Sequence, residues 1–95
     1  MSTEAIVAAN EARGLKPLSK LLLIVLAVRS DADDVCADDV AHLAGMTGMS
    51  PASVTKHLGL LAHDCLVYPG YEGEHSSGVL LDVGTIRRRQ ERAPR

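Results

Sequence analysis

The stretch TGMSPASVTKHLGLL, Thr47 to Leu61, decides how this chain folds. Gly48 stops the helical pattern that precedes it, because glycine adopts the left-handed backbone of a helix end without steric cost. Ser50 and Pro51 then form a typical helix start, since serine caps free N–H groups and proline suits the first helical position. Three apolar residues follow at helical spacing and predict one buried face: Val54, Leu58 and Leu61. The stretch therefore predicts two helices joined by a very short turn.

The segment before this turn predicts the first of the two helices. Asp39 is placed to cap it, and apolar and small residues form its inner face: Val40, Leu43, Ala44 and Met46 or Thr47. Two helices that meet across a short turn containing glycine have the sequence form of a helix-turn-helix. Helical geometry then places small and polar residues on the outer side of the second helix. These residues are Ala52, Lys56, Gly59 and His63, with Ser53 and Thr55 at the flanks.

The N-terminal part of the chain predicts two further helices. We expect one over residues 2–13, ended by Gly14, and another from Leu18 to about Arg29, with Pro17 in its first turn. The second contains the apolar run LLLIVLAV at residues 21–28. A helix needs about 20 apolar residues to span a bilayer. We therefore expect no membrane association, and a helix buried on more than one side.

The remaining segments predict a small antiparallel β wing and a C-terminal helix, which makes the fold mainly α. A very short strand is expected at residues 35–37. Two β-favouring segments flank the polar turn EGEHSS and predict a hairpin, in which Pro69 requires an edge strand or a bulge. A basic helix over residues 85–92 completes a single domain of residues 1–95, with its core in residues 15–83.

The composition favours a small cytoplasmic protein. The net charge of −2 gives no bulk attraction to nucleic acid, and two tyrosines are the only aromatic residues. The basic tail RRRQERAPR stands apart, and we take Arg87 and Arg88 as candidate DNA contacts. Because no secretory signal is evident, we expect Cys36 and Cys65 to be free thiols packed as small buried residues.

The sequence of residues 39–67, DVAHLAGMTGMSPASVTKHLGLLAHDCLV, resembles the winged helix-turn-helix pattern. It contains the family's Leu-Ala pair, a Thr-Gly-apolar-Ser turn, a His-Leu pair and a closing Leu-Val. Upstream, GLKPLSKLLLIVLAVRSDADDVC at residues 14–36 is similar to the first helix of one subgroup. That subgroup contains the helix-turn-helix domains of plasmid and phage replication initiators and of related actinobacterial regulators. The resemblance covers residues 14–83, most of the chain.

The resemblance implies that the helix from Ser50 to about His63 enters the major groove and that the hairpin touches the adjacent backbone. The groove-facing residues it implies are Ser50, Ala52, Ser53, Thr55 and Lys56, and the hairpin contacts are His75, Ser76 and Ser77. The chain also departs from the family. Its outer helix face lacks the Arg, Asn or Gln that reads base edges. Cys65 stands where glycine usually ends the helix, and Glu72 and Glu74 lie in the hairpin.

The function we expect is sequence-specific binding of double-stranded DNA by a small transcriptional regulator. A single module this acidic binds weakly, so we expect a homodimer formed through the N-terminal helices. Two alternatives stay open. One is an accessory factor for replication, partition or excision of a mobile element, and the other is a winged helix that binds protein instead of DNA.

Metal binding and catalysis are not favoured by the sequence. His63 and Cys65 lie close together, but no Cys-x-x-Cys or His-x3-His spacing occurs. No nucleophile elbow, phosphate-binding loop or dinucleotide fingerprint is present either. We therefore expect no metal, no cofactor and no enzymatic activity.

Overall fold

The computed structural model of the 95-residue chain describes residues 3–74 and 77–89. These residues form a mainly helical fold with a small three-stranded antiparallel sheet. In chain order the elements are α1 (Thr3–Glu11), α2 (Pro17–Arg29), β1 (Val35–Cys36), α3 (Val40–Thr47), α4 (Pro51–His63), β2 (Val67–Glu72), β3 (Ser77–Leu81) and α5 (Val83–Arg88).

The first two helices follow the expected signals. α1 ends at Glu11, two residues before the predicted end, and Gly14 then takes the left-handed conformation with φ of 78°. Lys20 Nζ donates a hydrogen bond of 2.9 Å to the carbonyl oxygen of Ala12. A cation at this position satisfies one of the free carbonyls beyond a helix end. Pro17 is the first residue of α2, as predicted.

The core is built around α2. Small buried residues allow α1 to approach α2 closely: Ala5, Ala8 and Ala9 of α1, and Ala12 just beyond its end. The largest fully buried side chains are Leu22, Leu23, Leu26, Leu43, Leu61, Leu66, Ile86, Val35, Val54 and Val67. α2 has 13 residues. Among the described residues, no helix is both long enough and apolar enough to cross a membrane.

The sheet places β3 between β1 and β2. β1 pairs antiparallel with β3, with Val35 opposite Leu80. β2 therefore lies at an edge, and its register with β3 shifts between Tyr68 and Tyr71, where Pro69 lies. An edge strand with an irregularity tolerates proline, because the missing N–H would otherwise break the ladder. Both features expected of the proline strand are confirmed.

The C-terminal helix begins earlier than the sequence indicates. α5 starts at Val83 instead of residue 85, because Asp82 Oδ1 accepts a hydrogen bond of 3.1 Å from the backbone N–H of Thr85. Ile86 is fully buried and anchors the helix on the core. α5 ends at Arg88, and residues 90–92 of the predicted helix lie outside the described residues.

The two cysteines have different environments. Cys36 is buried in β1, as predicted. Cys65 is exposed, so the prediction that it packs in the interior is wrong. It is the second residue after α4, following the C-cap Asp64, with φ of 61°, and this conformation turns the chain away from the helix before the buried Leu66.

Candidate nucleic-acid interface

The turn between α3 and α4 has the predicted chemistry. Gly48 follows α3 with φ of 78°, and its N–H donates to the carbonyl oxygen of Ala44 at 3.0 Å. Ser50 is the N-cap of α4, and its Oγ accepts a hydrogen bond of 3.1 Å from the N–H of Ser53. Pro51 is the first residue of the helix. The two helices are therefore separated by residues 48–50 alone.

Side-chain hydrogen bonds fix the corner further. Thr47 Oγ1 donates to the carbonyl oxygen of Leu43 at 2.8 Å and accepts from the N–H of Met49 at 3.3 Å. Ser53 Oγ donates to Met49 Sδ at 3.6 Å. Met49 is partly buried against the core, so it closes the corner. The contact with sulfur directs the Ser53 hydroxyl toward the corner instead of toward solvent.

The first two turns of α4 present the predicted outer face. Of the five candidate residues at the start of this helix, Ser53 is half-buried. The other four are exposed: Ser50, Ala52, Thr55 and Lys56. Within residues 3–74 and 77–89, Lys56 forms no salt bridge or side-chain hydrogen bond. The N-terminus of a helix also carries a partial positive charge. This end of α4 therefore presents a small electropositive surface to solvent.

The inner face of α4 contains a polar residue that the sequence analysis did not assign. Val54 and Leu61 are fully buried, as predicted, and His57 between them is 6% exposed. His57 Nδ1 and Ser19 Oγ of α2 share a hydrogen bond of 2.8 Å. Since Ser19 is also buried, this bond satisfies two polar groups inside the core and joins α4 to α2.

The sequence contained a signal for this pair. His57 lies three residues after Val54 and four before Leu61, so it belongs to the same helical face. Ser19 lies on the face of α2 that also buries Leu22 and Leu26. A polar residue on an apolar helical face implies a buried partner. Only the fold shows that the two residues are partners.

The arginines lie away from the first turn of α4. Arg89 Nη2 is 2.7 Å from Asp64 Oδ2, and Asp64 is the residue that follows the last turn of α4. At 1.5 Å per residue, this is about 20 Å along the helix from Ser50. Arg87 Nη2 is 3.6 Å from Glu4 Oε2 on α1, and Arg88 is exposed. The candidate residues therefore divide into an α4 group and an arginine group at the opposite end of that helix.

The hairpin of β2 and β3 contains the remaining candidates. Ser77 is exposed at the start of β3 and is opposite Glu72, which is also exposed. The Tyr71 ring packs so close to Gly73 that a Cβ at Gly73 would lie 2.6 Å from it. The candidates His75 and Ser76 lie outside the described residues.

An ionic cluster fixes the start of α3 and therefore the position of the turn. Asp38 Oδ2 accepts from Arg29 Nε at 2.7 Å, and Asp38 Oδ1 lies 3.0 Å from His42 Nδ1. The hydrogen bond from Arg29 lowers the pKa of Asp38 below its ordinary value, although burial opposes this. Burial raises the pKa of the Cys36 thiol. The cluster joins the end of α2 to the start of α3.

Neither a metal centre nor a relative identifies the site. In the part of the chain that the structure describes, no group of three or more His, Cys, Asp or Glu side chains is placed to hold a metal ion. No protein-family model, curated protein or solved structure matches this chain. The geometry of α4 and its surroundings is therefore the basis for a functional proposal.

Proposed function

We propose that this chain is a winged helix-turn-helix protein that binds double-stranded DNA with sequence specificity, as a small transcriptional regulator. In this proposal α4 is the recognition helix, and the hairpin of β2 and β3 is the wing. The chain acts as a homodimer whose contacts come from the N-terminal helices. A cytoplasmic location fits this role.

The observation that carries the proposal is the exposed, capped start of α4. A short turn holds the helix at its position, the Ser19–His57 hydrogen bond anchors its inner side, and among the described residues no ion pair involves Lys56 on its outer side. The positive end of a helix dipole and a cation beside it are suited to a phosphate group. The small side chains of Ala52 and Thr55 let the helix approach closely, and their methyl groups suit the methyl group of thymine.

The charge distribution supports a dimeric binder. Lys56 supplies a single positive side chain on the exposed first turns, and the exposed Glu72 of the wing repels phosphate. Because affinity for DNA depends on the number of neutralised phosphates, one copy binds weakly. A symmetric pair doubles the phosphate contacts and adds specificity through the spacing of two half-sites.

The test is a comparison of two lysine variants on a duplex selected from a random pool. Lys56→Ala removes the cation of the proposed interface, whereas Lys16→Ala removes an exposed cation at the start of α2, beside the far end of α4. For a dimer, Lys56→Ala is expected to lower affinity on the order of tenfold and to reduce the slope of log affinity against log salt by about 2. On a duplex with a single half-site, where no dimer contact forms, Lys16→Ala should leave that slope unchanged, whereas Lys56→Ala should still reduce it by about 1. Fluorescence anisotropy at several salt concentrations measures both quantities.

Two results would contradict the proposal. One is the absence of duplex binding at low salt by a folded chain, which would favour the protein-binding alternative. The other is an equal loss of affinity in both lysine variants, which would indicate a general charge effect without a specific role for α4.

A further inference from the structure

Three exposed apolar residues of α2 form a stripe with the partly buried Val25, which also packs against the core. Leu18, Leu21 and Val28 are 44%, 38% and 40% exposed, and Val25 is partly buried between them. The opposite side of the same helix buries Leu22 and Leu26, among others. Helices that are apolar on two sides are usually covered on both. We call these four residues (Leu18, Leu21, Val25, Val28) the α2 stripe.

The spacing of the α2 stripe is that of a helix–helix contact. Successive members are three, four and three residues apart, which is the alternation of the a and d positions in a coiled coil. The stripe is also symmetric about residue 23. If two copies of α2 pack antiparallel around a two-fold axis at that level, Leu18 of one copy faces Val28 of the other, and Leu21 faces Val25. Every leucine then meets a valine, and no position is left without an apolar partner.

The charges at the two ends of α2 agree with this arrangement. The exposed cations Arg13 and Lys16 precede the helix, and the acidic residues Asp33 and Asp34 follow it. An antiparallel pair brings the basic end of one copy beside the acidic end of the other, whereas a parallel pair brings like charges together. The antiparallel arrangement also places opposite ends of the two helix dipoles side by side.

We infer that the α2 stripe is the contact between two copies of this chain, packed antiparallel about residue 23, so that of the two N-terminal helices α2 forms the contact and α1 does not. This deepens the dimer of the proposed function and depends on that function for its biological role. The stripe is about 15 Å long and about 10 Å wide, so its area is on the order of 150 Å², well below the roughly 800 Å² per partner of a standard stable interface. The dimer is therefore weak in solution, and DNA containing two half-sites strengthens it.

Sedimentation equilibrium of the chain without DNA tests the contact itself. Leu21→Glu puts a charge at the centre of the stripe and is expected to weaken the dimer by at least about tenfold. Val7→Glu is the matched control, because Val7 is 50% exposed on α1 and lies outside the stripe; it should leave the dimer unchanged. A chain that stays monomeric at roughly millimolar concentration, or equal effects of the two variants, would overturn the inference.

Cross-linking tests the antiparallel register. In a background in which serine replaces the exposed Cys65, one chain carries Leu21→Cys and the other Val25→Cys. The inferred register predicts that a mixture of the two forms an intermolecular disulfide faster than either chain alone. Faster bonding of the Leu21→Cys chain to itself would indicate a parallel pair and overturn the register.

The dimer and the DNA-binding function can fail separately. If Leu21→Glu abolishes the dimer but still binds a single half-site with the affinity of the unmodified chain, both the contact and the DNA proposal are supported. A normal dimer that binds no duplex contradicts the proposed function alone. If the Leu21→Glu variant binds palindromic DNA as tightly as the unmodified chain does, the result contradicts the dimer contact at the α2 stripe alone.

Discussion

The two ends of α4 are formed by different means. At the start, Gly48 takes the left-handed conformation, Ser50 caps the helix and Pro51 begins it. Each of these residues is the type that its backbone position favours. At the other end, the left-handed position is occupied by Cys65, with φ of 61°. A side chain with a Cβ is strained in this conformation by about 1–2 kcal/mol.

Contacts from distant parts of the chain hold the second end in place. The N–H groups of Cys65 and Leu66 donate to the carbonyl oxygens of Ala62 and Leu61, each at 3.0 Å. This is the Schellman pattern, in which the residue after the turn packs back on the protein. Leu66 is fully buried, and the ion pair between Arg89 and Asp64 attaches α5 to the same place. The start of α4 thus depends on local residue choice, and its end depends on packing.

The largest effect is expected from Gly48→Ala at the start. This substitution should destabilise the protein by about 1–2 kcal/mol, the cost of a left-handed conformation for a residue with a Cβ. No atom lies within 4 Å of the added Cβ, so the cost is conformational and not a clash. Denaturation with urea, followed by circular dichroism, measures the change in free energy of unfolding.

Gly45→Ala is the matched control for this prediction. Gly45 lies within α3, and its added Cβ also meets no atom within 4 Å. Because its backbone is helical, alanine should stabilise the protein there by up to about 1 kcal/mol. Effects of the same sign at both glycines would contradict the account of the turn.

The helix cap has the next largest effect. Ser50→Ala removes the acceptor for the N–H of Ser53 and should cost about 1 kcal/mol of stability. Ser50→Asp preserves an acceptor and adds a negative charge near the positive helix end, so its stability should equal or exceed that of the unmodified chain. The same urea experiment checks both variants. Equal losses in the alanine and aspartate variants would show that the cap does not stabilise α4.

Features that depend on neighbouring residues were predicted from the sequence, and features that depend on distant residues were not. The caps at Asp39 and Ser50 and the irregular edge strand at Pro69 follow from local chemistry, and all three are present. The hydrogen bond between Ser19 and His57 joins residues 38 positions apart. A helical pattern shows that each is on an inner face, but the partner is determined by how α2 packs on α4.

Prediction of the candidate site from the sequence has the same limit, because features that depend on distant residues were not predicted. The exposed positions of Ala52 and Lys56 follow from the helical period and are confirmed, whereas contact with DNA stays a prediction. The arginines were treated in the sequence as one basic group. In the fold, Arg87 and Arg89 form ion pairs with Glu4 and Asp64, which only the packing of α5 determines.

The smallest effect is expected at the end of α4 and has the opposite sign. Cys65→Gly relieves the left-handed strain, but glycine also loses more chain entropy on folding. The net expectation is a stabilisation of about 0.5–1 kcal/mol. Cys65→Ala is the control, because it removes the exposed thiol and keeps the Cβ, and its stability should match that of the unmodified chain. If the alanine and glycine variants are stabilised equally relative to the unmodified chain, the thiol and not the backbone is the source of the strain. The two ends of α4 would then differ in side-chain chemistry alone.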